Sequence, residues 1–429
     1  VLKNNGFHNR HSPLPFSPAS LFAAGEQGWW YDPSNFATLF QDSAGTTPVT
    51  AVEQPVGLQL DLSGRGNHRF QSTSANRPVV SARVNLLTKT EELGNAVWSK
   101  SNTTVTDNAT IAPDGTTTAD LVTPVNGTDA ACFQQISNVN AVGRTWTFTF
   151  YARCASGTTL LPVLGDDALG NFWSDPRTNK VTVNTVWQHF TVTGTTPAGT
   201  GNIVRAGFGG FSSWTTNAPL FIWGADLRFT NQGVNLPVYQ RVNTSTDYDT
   251  VGFPVYIKPN GSNQFMQTNS INFTATDKMT VWQGVRKLRD TAQSMIAELS
   301  ATMLLNNGTF LLTAPNSIAA NYNFSSKGTT QVDNVVTTYT SPITNVLVGI
   351  GDISGSINSV KVNGGAATTV TSSQGTGNYG NYAAYFYMRL GLTLPFNGND
   401  YGSIARGAAS TAAQITNGET YINSKTKAY

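Results

Sequence analysis

The chain has 429 residues, with 26 Lys and Arg against 24 Asp and Glu, and only 12% of it is charged, for a net charge of +2. That length sets a prior of two or three domains. The near-neutral balance without a basic stripe argues against a nucleic-acid partner, and no apolar run approaches the roughly 20 residues needed to insert into a membrane.

Thr, Asn, Ser, Gly and Val dominate, a mixture that favours strands and turns over helices. Residues 1–25 carry Pro13, Pro15 and Pro18 among Phe7, Phe16 and Phe22. Prolines at this spacing deny both a helix and a central strand, so an extended arm is expected. An apolar arm without periodicity needs a surface to lie on, either its own body or a neighbouring subunit. Phe7, Phe16 and Phe22 are its expected anchor contacts. No leader pattern precedes the body, and Val1 in place of Met points to trimming or to numbering from inside a longer product.

From Gly28 to Pro78 one β pattern runs through Trp29-Trp30-Tyr31-Asp32 and Leu60-Asp61-Leu62-Ser63-Gly64-Arg65-Gly66-Asn67-His68, then stops. A second begins at Asn85-Leu86-Leu87. In it Thr145-Trp146-Thr147-Phe148-Thr149-Phe150 alternates strictly, which sets Trp146, Phe148 and Phe150 on one face and the threonines on the other. Gln188–Val192 alternates too, and Leu220–Trp223 is a short continuous apolar run suited to a strand covered on both faces. Cys132 and Cys154 lie in this part, either as two buried free thiols or, in an oxidising compartment, as a disulfide.

Near Val251 the first theme resumes. Thr280–Val285 and Ser359–Val362 read as strands. Asn306-Asn307-Gly308 before Thr309–Leu312 reads as a hairpin, and Tyr382–Leu392 as an aromatic strand. Ser410–Lys425 spaces Ala412, Ile415, Gly418 and Ile422 at helical intervals, with Ser410 as the expected N-cap. The fold expected is all-β, two jelly-roll β-sandwiches, one inserted in the other, with an extended N-terminal arm and a short C-terminal helix. The boundaries are 1–25 for the arm, 26–83 and 248–429 for the interrupted sandwich, and 84–247 for the insert.

Four stretches carry a family resemblance. Trp30–Ser34 through Leu39–Asp42 to Leu60–His68, and Tyr401-Gly402 with Arg406-Gly407 and the closing helix, resemble the concanavalin A/laminin-G-like domains of bacteriophage virion proteins. Asn85–Leu87 through Trp98 to Ala112–Asp120, and Trp187–Thr193 with Ile222–Ala225, resemble the carbohydrate-binding-like jelly rolls of phage tail fibres, tailspikes and other appendages. The resemblance implies a virion structural protein of fibre or decoration type, holding its place against other virion proteins as a homo-oligomer, in the manner of trimeric appendages. It implies residence in the extracellular particle after assembly in the bacterial cytoplasm. The alternatives are a glycan-binding adhesin that recognises a host surface glycan and, behind it, a polysaccharide depolymerase.

Catalytic signals are thin, and the expectation is no enzyme. A glycosidase needs two carboxylates about 5–10 Å apart; Glu91-Glu92, Asp166-Asp167 and Asp247/Asp249 are local clusters in loop-like sequence that read as solvated turns. His8 and His11 sit among prolines, His68 closes a turn, and His189 sits on a strand. There is no Gly-x-Ser-x-Gly elbow, and Gly207-Phe208-Gly209-Gly210 lacks the helix and Lys of a phosphate loop. The loop tryptophans Trp173 and Trp214 are the candidate glycan or partner contacts, with edge-of-core packing as the other reading. No cofactor is expected beyond calcium, which the laminin-G likeness suggests at Asp61; a turn capped by the same carboxylate is the alternative.

Overall fold

The computed structural model describes residues 16–125, 130–137, 143–165, 180–197, 203–209 and 218–429. Among the described residues the chain is all-β apart from short 3-10 turns and one C-terminal helix, and every strand pair is antiparallel. Two large sheets face each other. One has eight strands, in the order Thr368–Val370, Ile357–Val362, Ile343–Asp352, Lys278–Lys287, Gly398–Arg406, Tyr256–Lys258, Val79–Ser81, with Gly28–Tyr31 also pairing to Gly398–Arg406. The other has nine, from Leu39–Phe40 through Leu58–Gln59, Arg69–Phe70, Met266–Asn272, Asn381–Phe386, Met295–Leu299, Thr309–Thr313 and Asn321–Lys327 to Gln331–Thr337. Strands from residues 28–81 thus join both sheets alongside strands from residues 256–406.

Between the sheets lies an aromatic core. Trp29 meets Phe386 edge-on at 5.4 Å, and Phe310 stacks with Phe324 at 5.8 Å. A buried polar network ties one sheet to the other. Arg69, fully buried under the rings of Tyr31, Phe386 and Tyr387, lies 2.9 Å from Asp400 and donates to Gln59. Asp400 also accepts from Gln283 and from the Tyr387 hydroxyl. A charge pair this deep is tolerable only because hydrogen bonds satisfy its remaining atoms.

The outer face of the eight-stranded sheet is covered as well. The helix Ala412–Thr426 and the 3-10 turn Pro18–Phe22 pack on Trp282, Val346, Val348 and Ile404 through Ile422, Leu21 and Phe22. This explains why Gly398–Arg406 is buried from end to end, as strands covered on both faces are. Gly418 allows the helix to come close, since a Cβ there would stand 2.5 Å from the Trp282 indole nitrogen. That nitrogen donates to the Ile415 carbonyl at 3.0 Å.

Several expectations need correction. The helix is capped by Thr411, one residue after Ser410: its hydroxyl accepts from the Gln414 amide while the Gln414 side chain accepts from the Thr411 amide, a capping box. Ser410 instead lies 3.3 Å from the Arg406 guanidinium. Of the two surfaces expected for the arm, its last residues take the body of the same chain. Leu21 and Phe22 are 0% and 2% exposed, and Arg406 and Arg65 bind the carbonyls of Leu21 and Phe22. Phe22 therefore contacts its own chain, because the outer face of the eight-stranded sheet offers an apolar trough beside the helix. Phe16 is half-buried on the same cluster, and Phe7 lies outside the described residues. The strand Thr309–Thr313 pairs with Met295–Leu299 across the long connection 300–308, not across a tight turn. The strand from Asn381 ends at Phe386, where Tyr387 and Leu390 take φ of 70° and 49°.

The middle segment forms smaller sheets. Five strands run in the order Gln188–Thr195, Thr145–Cys154, Leu220–Phe229, Ala119–Pro124, Thr103–Thr110, and four in the order Pro162–Gly165, Ile203–Gly209, Ala131–Ser137, Ser99–Ser101. Trp146, Phe148 and Phe150 are fully buried between them, and Phe208 lies 5.7 Å from Phe148 and 5.0 Å from Phe150. Cys132 and Cys154 are both buried and free. Burial pushes the Cys132 thiol up to about 12, so it serves as a small apolar residue.

Candidate binding face

The outward side of the five-stranded sheet is assembled by register. Thr193, Thr147 and Arg228 form one row across three strands, Thr191, Thr149 and Asp226 the next, and His189, Tyr151 and Trp223 the third. Trp223 and Asp226 are three apart, so strict alternation would put them on opposite faces. A β-bulge removes the conflict: the register shifts between Thr149 and Tyr151, and Gly224 there takes a φ of +68° that favours glycine. Gly224 also runs beneath two rings, since a Cβ on it would be 3.4 Å from Tyr151 and 3.5 Å from Tyr239.

The face is graded from polar to aromatic. At one end threonine hydroxyls pair, Thr145 with Thr195 at 2.8 Å and Thr147 with Thr230 at 3.0 Å. At the other, Tyr151 stands 4.7 Å from His189 and 5.4 Å from Trp223, which meets Tyr239 at 4.9 Å. Arg153 lies over the Trp187 and Phe221 rings.

The segment from Thr230 to Val238 crosses this face and closes one side of a cleft of about 290 Å³, lined by Thr147, Thr149, His189, Thr191, Asp226 and Arg228. That volume is at the lower end for small-ligand pockets. The crossing segment is tied down by the Thr149 hydroxyl to the Val238 carbonyl at 3.3 Å and by Arg228 to the Pro237 carbonyl at 2.9 Å. His189 is exposed at the mouth, and burial by its neighbours pulls its imidazole below the ordinary value against the opposing charge of Asp226. It is therefore a neutral donor and acceptor at neutral pH.

Asp226 is the one carboxylate among the described lining residues. Arg228 grips it with two bonds of 2.6 Å, and the Gln240 amide adds a third. Burial nonetheless pushes this carboxyl up, with Arg228 opposing. A carboxylate so fully engaged orients Arg228 and the crossing segment.

Of the residues singled out from sequence, those described lie apart from one another. Trp173, Trp214, His8, His11, Asp166 and Asp167 lie outside the described residues. Asp61 belongs to the other sandwich, where its oxygens accept from the amides of Trp30, Ser63 and Asn67 and from the Ser63 hydroxyl. Among the described residues no group of three or more metal-ligating side chains forms. Glu91 accepts from the Tyr239 hydroxyl at 2.9 Å, and Asp249 pairs with Arg241. The cleft itself was missed, though the sequence holds its signal: Trp223-Gly224-Ala225-Asp226 interrupts an apolar strand with glycine, the residue best suited to the positive φ this bulge takes.

The fold and this face define an all-β sandwich protein with a concave, hydroxyl-rich cleft. No protein-family model and no curated relative matches the chain. Part of it is similar to several solved structures. One is a CBM4, at 15% identity, with 36% of this chain and 88% of that one covered and a TM-score of 0.23. Another is the Ruminococcus gnavus IT-sialidase CBM40 bound to alpha2,3 sialyllactose, at 13% identity, 35% and 95% coverage and a TM-score of 0.28. A third is the enzymatically active domain of tailspike protein 4 from bacteriophage CBA120, at 19% identity, 34% and 21% coverage and a TM-score of 0.26. Likeness this distant leaves the function to be read from the residues.

Proposed function

We propose that the protein is a non-catalytic glycan-binding β-sandwich protein and serves as an oligomeric appendage or decoration component of a phage particle. The single observation that supports glycan binding is the graded face: threonine hydroxyls, a neutral His189 and the Arg228 guanidinium line a cleft beside the half-buried Tyr151 ring, which the buried Trp223 backs. A sugar offers both patterns at once, C–H faces for aromatic stacking and hydroxyls for directional bonding. The virion setting is supported by the sequence stretches that resemble phage fibre proteins. Non-catalysis is supported by the engagement of Asp226, since a glycosidase needs a second carboxylate about 5–10 Å away.

A glycan array probed with the full chain tests the reading. Binding to a defined set of bacterial surface glycans is expected, and His189→Ala combined with Thr191→Val should weaken it at least about tenfold, the loss of one or two good hydrogen bonds. Unchanged binding in that variant would move the site elsewhere. Release of reducing ends from a bound polysaccharide would replace the adhesin by the enzyme.

A further inference from the structure

Where the two sandwiches meet, a second cavity of about 340 Å³ is lined by Arg83, Lys258, Arg286, Tyr256, Phe229 and Gln232, among others, and no carboxylate belongs to its described lining. Arg286 stands on the strand Lys278–Lys287 and is 1% exposed. Its Nη1 donates to the Asn231 carbonyl, and to the Thr344 hydroxyl at 2.9 Å. Its Nε and Nη2 have no hydrogen-bond partner. No carboxylate among the described residues comes within ion-pair distance of it. Burial pulls this guanidinium below its ordinary value, opposed only by tyrosine hydroxyls.

The other cations in the lining differ in kind. Arg83 is spent on the carbonyls of Asn85, Leu86 and Leu87. Lys258 is half-exposed and lies a loose 3.8 Å from Glu53. Arg144, close by, binds the Leu288 carbonyl and packs on the Phe229 ring, and burial, helped by the charge of Arg286, holds it down to about 10.

A buried guanidinium with two unpartnered nitrogens is costly unless something accepts from it. The planar fork of arginine matches two oxygens of one oxyanion. We propose that this crevice is an oxyanion site, taking a phosphate or carboxylate group on Nε and Nη2 of Arg286 with Lys258 at its mouth. An anion held there contacts both sandwiches, since Phe229 and Gln232 come from one and Arg286, Lys258 and Tyr256 from the other. Occupancy therefore stabilises their junction by mass action. The site adjoins the threonine cleft, since Phe229 and Gln232 line both, but Arg286 and Lys258 do not line that cleft, so the proposal stands or falls independently of glycan binding.

The test uses the full chain titrated with inorganic phosphate and, separately, with acetate, chloride being adjusted to keep ionic strength constant. At least one of the two should raise the melting temperature in a saturable way and give a calorimetric isotherm near one-to-one. Phosphate alone would mark a phosphate site; both would mark a general oxyanion site. Arg286→Met should abolish the effect. Lys258→Met removes a rim charge without touching the core and should weaken binding roughly fivefold, the equivalent of about 1 kcal/mol. It decides the matter should Arg286→Met fail to fold. No saturable response to either anion, or an undiminished response in both variants, overturns the proposal.

Discussion

At the residue scale, alternation was the most dependable signal in the chain. Trp146, Phe148 and Phe150 were assigned to one face by spacing alone, and all three are buried while Thr145, Thr147 and Thr149 face outward. Phe148→Ala should cost about 3–5 kcal/mol, seen as a shift in the denaturant midpoint of the middle segment. Thr147→Ala forfeits one hydroxyl contact to Thr230 and should cost no more than about 1 kcal/mol. Similar losses at both positions would refute the face assignment.

Asp120 yields a second residue-scale prediction. It is 1% exposed, and burial, with a hydrogen bond to the neighbouring Asp107 carboxyl, raises it from an ordinary 3.8 to about 7 against two backbone amides that favour the anion. The folded chain then keeps a proton that the unfolded chain has released, so this group's contribution to stability falls as pH climbs from 3.8 towards 7 and is flat beyond. Denaturant midpoints of the middle segment should drop between pH 5 and pH 8, and Asp120→Asn should flatten that part of the slope. A wild-type midpoint that rises over this range would contradict the assignment. None of this was legible in sequence, because Asp120 owes its shift to burial and to the Asp107 carboxyl, both of which arise only on folding.

At the element scale, strands and the closing helix were visible from period and turn residues, while their ends and partners were not. The helix cap was displaced by one residue because Ser410 and Thr411 are both competent caps and only Thr411 has Gln414 three residues on. The proposed binding face depends on a bulge at Gly224, and spacing rules assume no bulge. For the N-terminal segment, composition showed that an apolar surface was needed without saying whose. The packing of Leu21 and Phe22 now separates two deletions. One removes residues 1–15 and leaves Pro18–Phe22 in place. Removing 1–25 strips two buried side chains from Trp282 and Ile404 and should cost several kcal/mol, on the scale of about 2–5 per large residue lost. Equal melting curves for the two truncations would show that Pro18–Phe22 contributes nothing to the body.

At the scale of the whole molecule, the broken β pattern was legible because residues 28–78 and those after 251 share a style that the intervening stretch lacks. The sheets give this a physical consequence. Residues 250–429 alone would lose Gly28–Tyr31, Arg69–Phe70 and Val79–Ser81, and with Arg69 the partner of buried Asp400. An uncompensated buried charge costs about 3–5 kcal/mol, so that fragment should not melt cooperatively, whereas residues 84–247 alone should. A cooperative transition in fragment 250–429 would show that the N-terminal strands are dispensable.

The central claim is that a glycan is held on the outward face of the five-stranded sheet. The most direct measurement is a crystal structure of the full chain with its strongest array ligand. The sugar is expected in the cleft over Thr147, Thr149 and Thr191, hydrogen-bonded to His189 or Arg228 and with one ring against Tyr151. A sugar seated on either large sheet, with this cleft empty, would contradict the account.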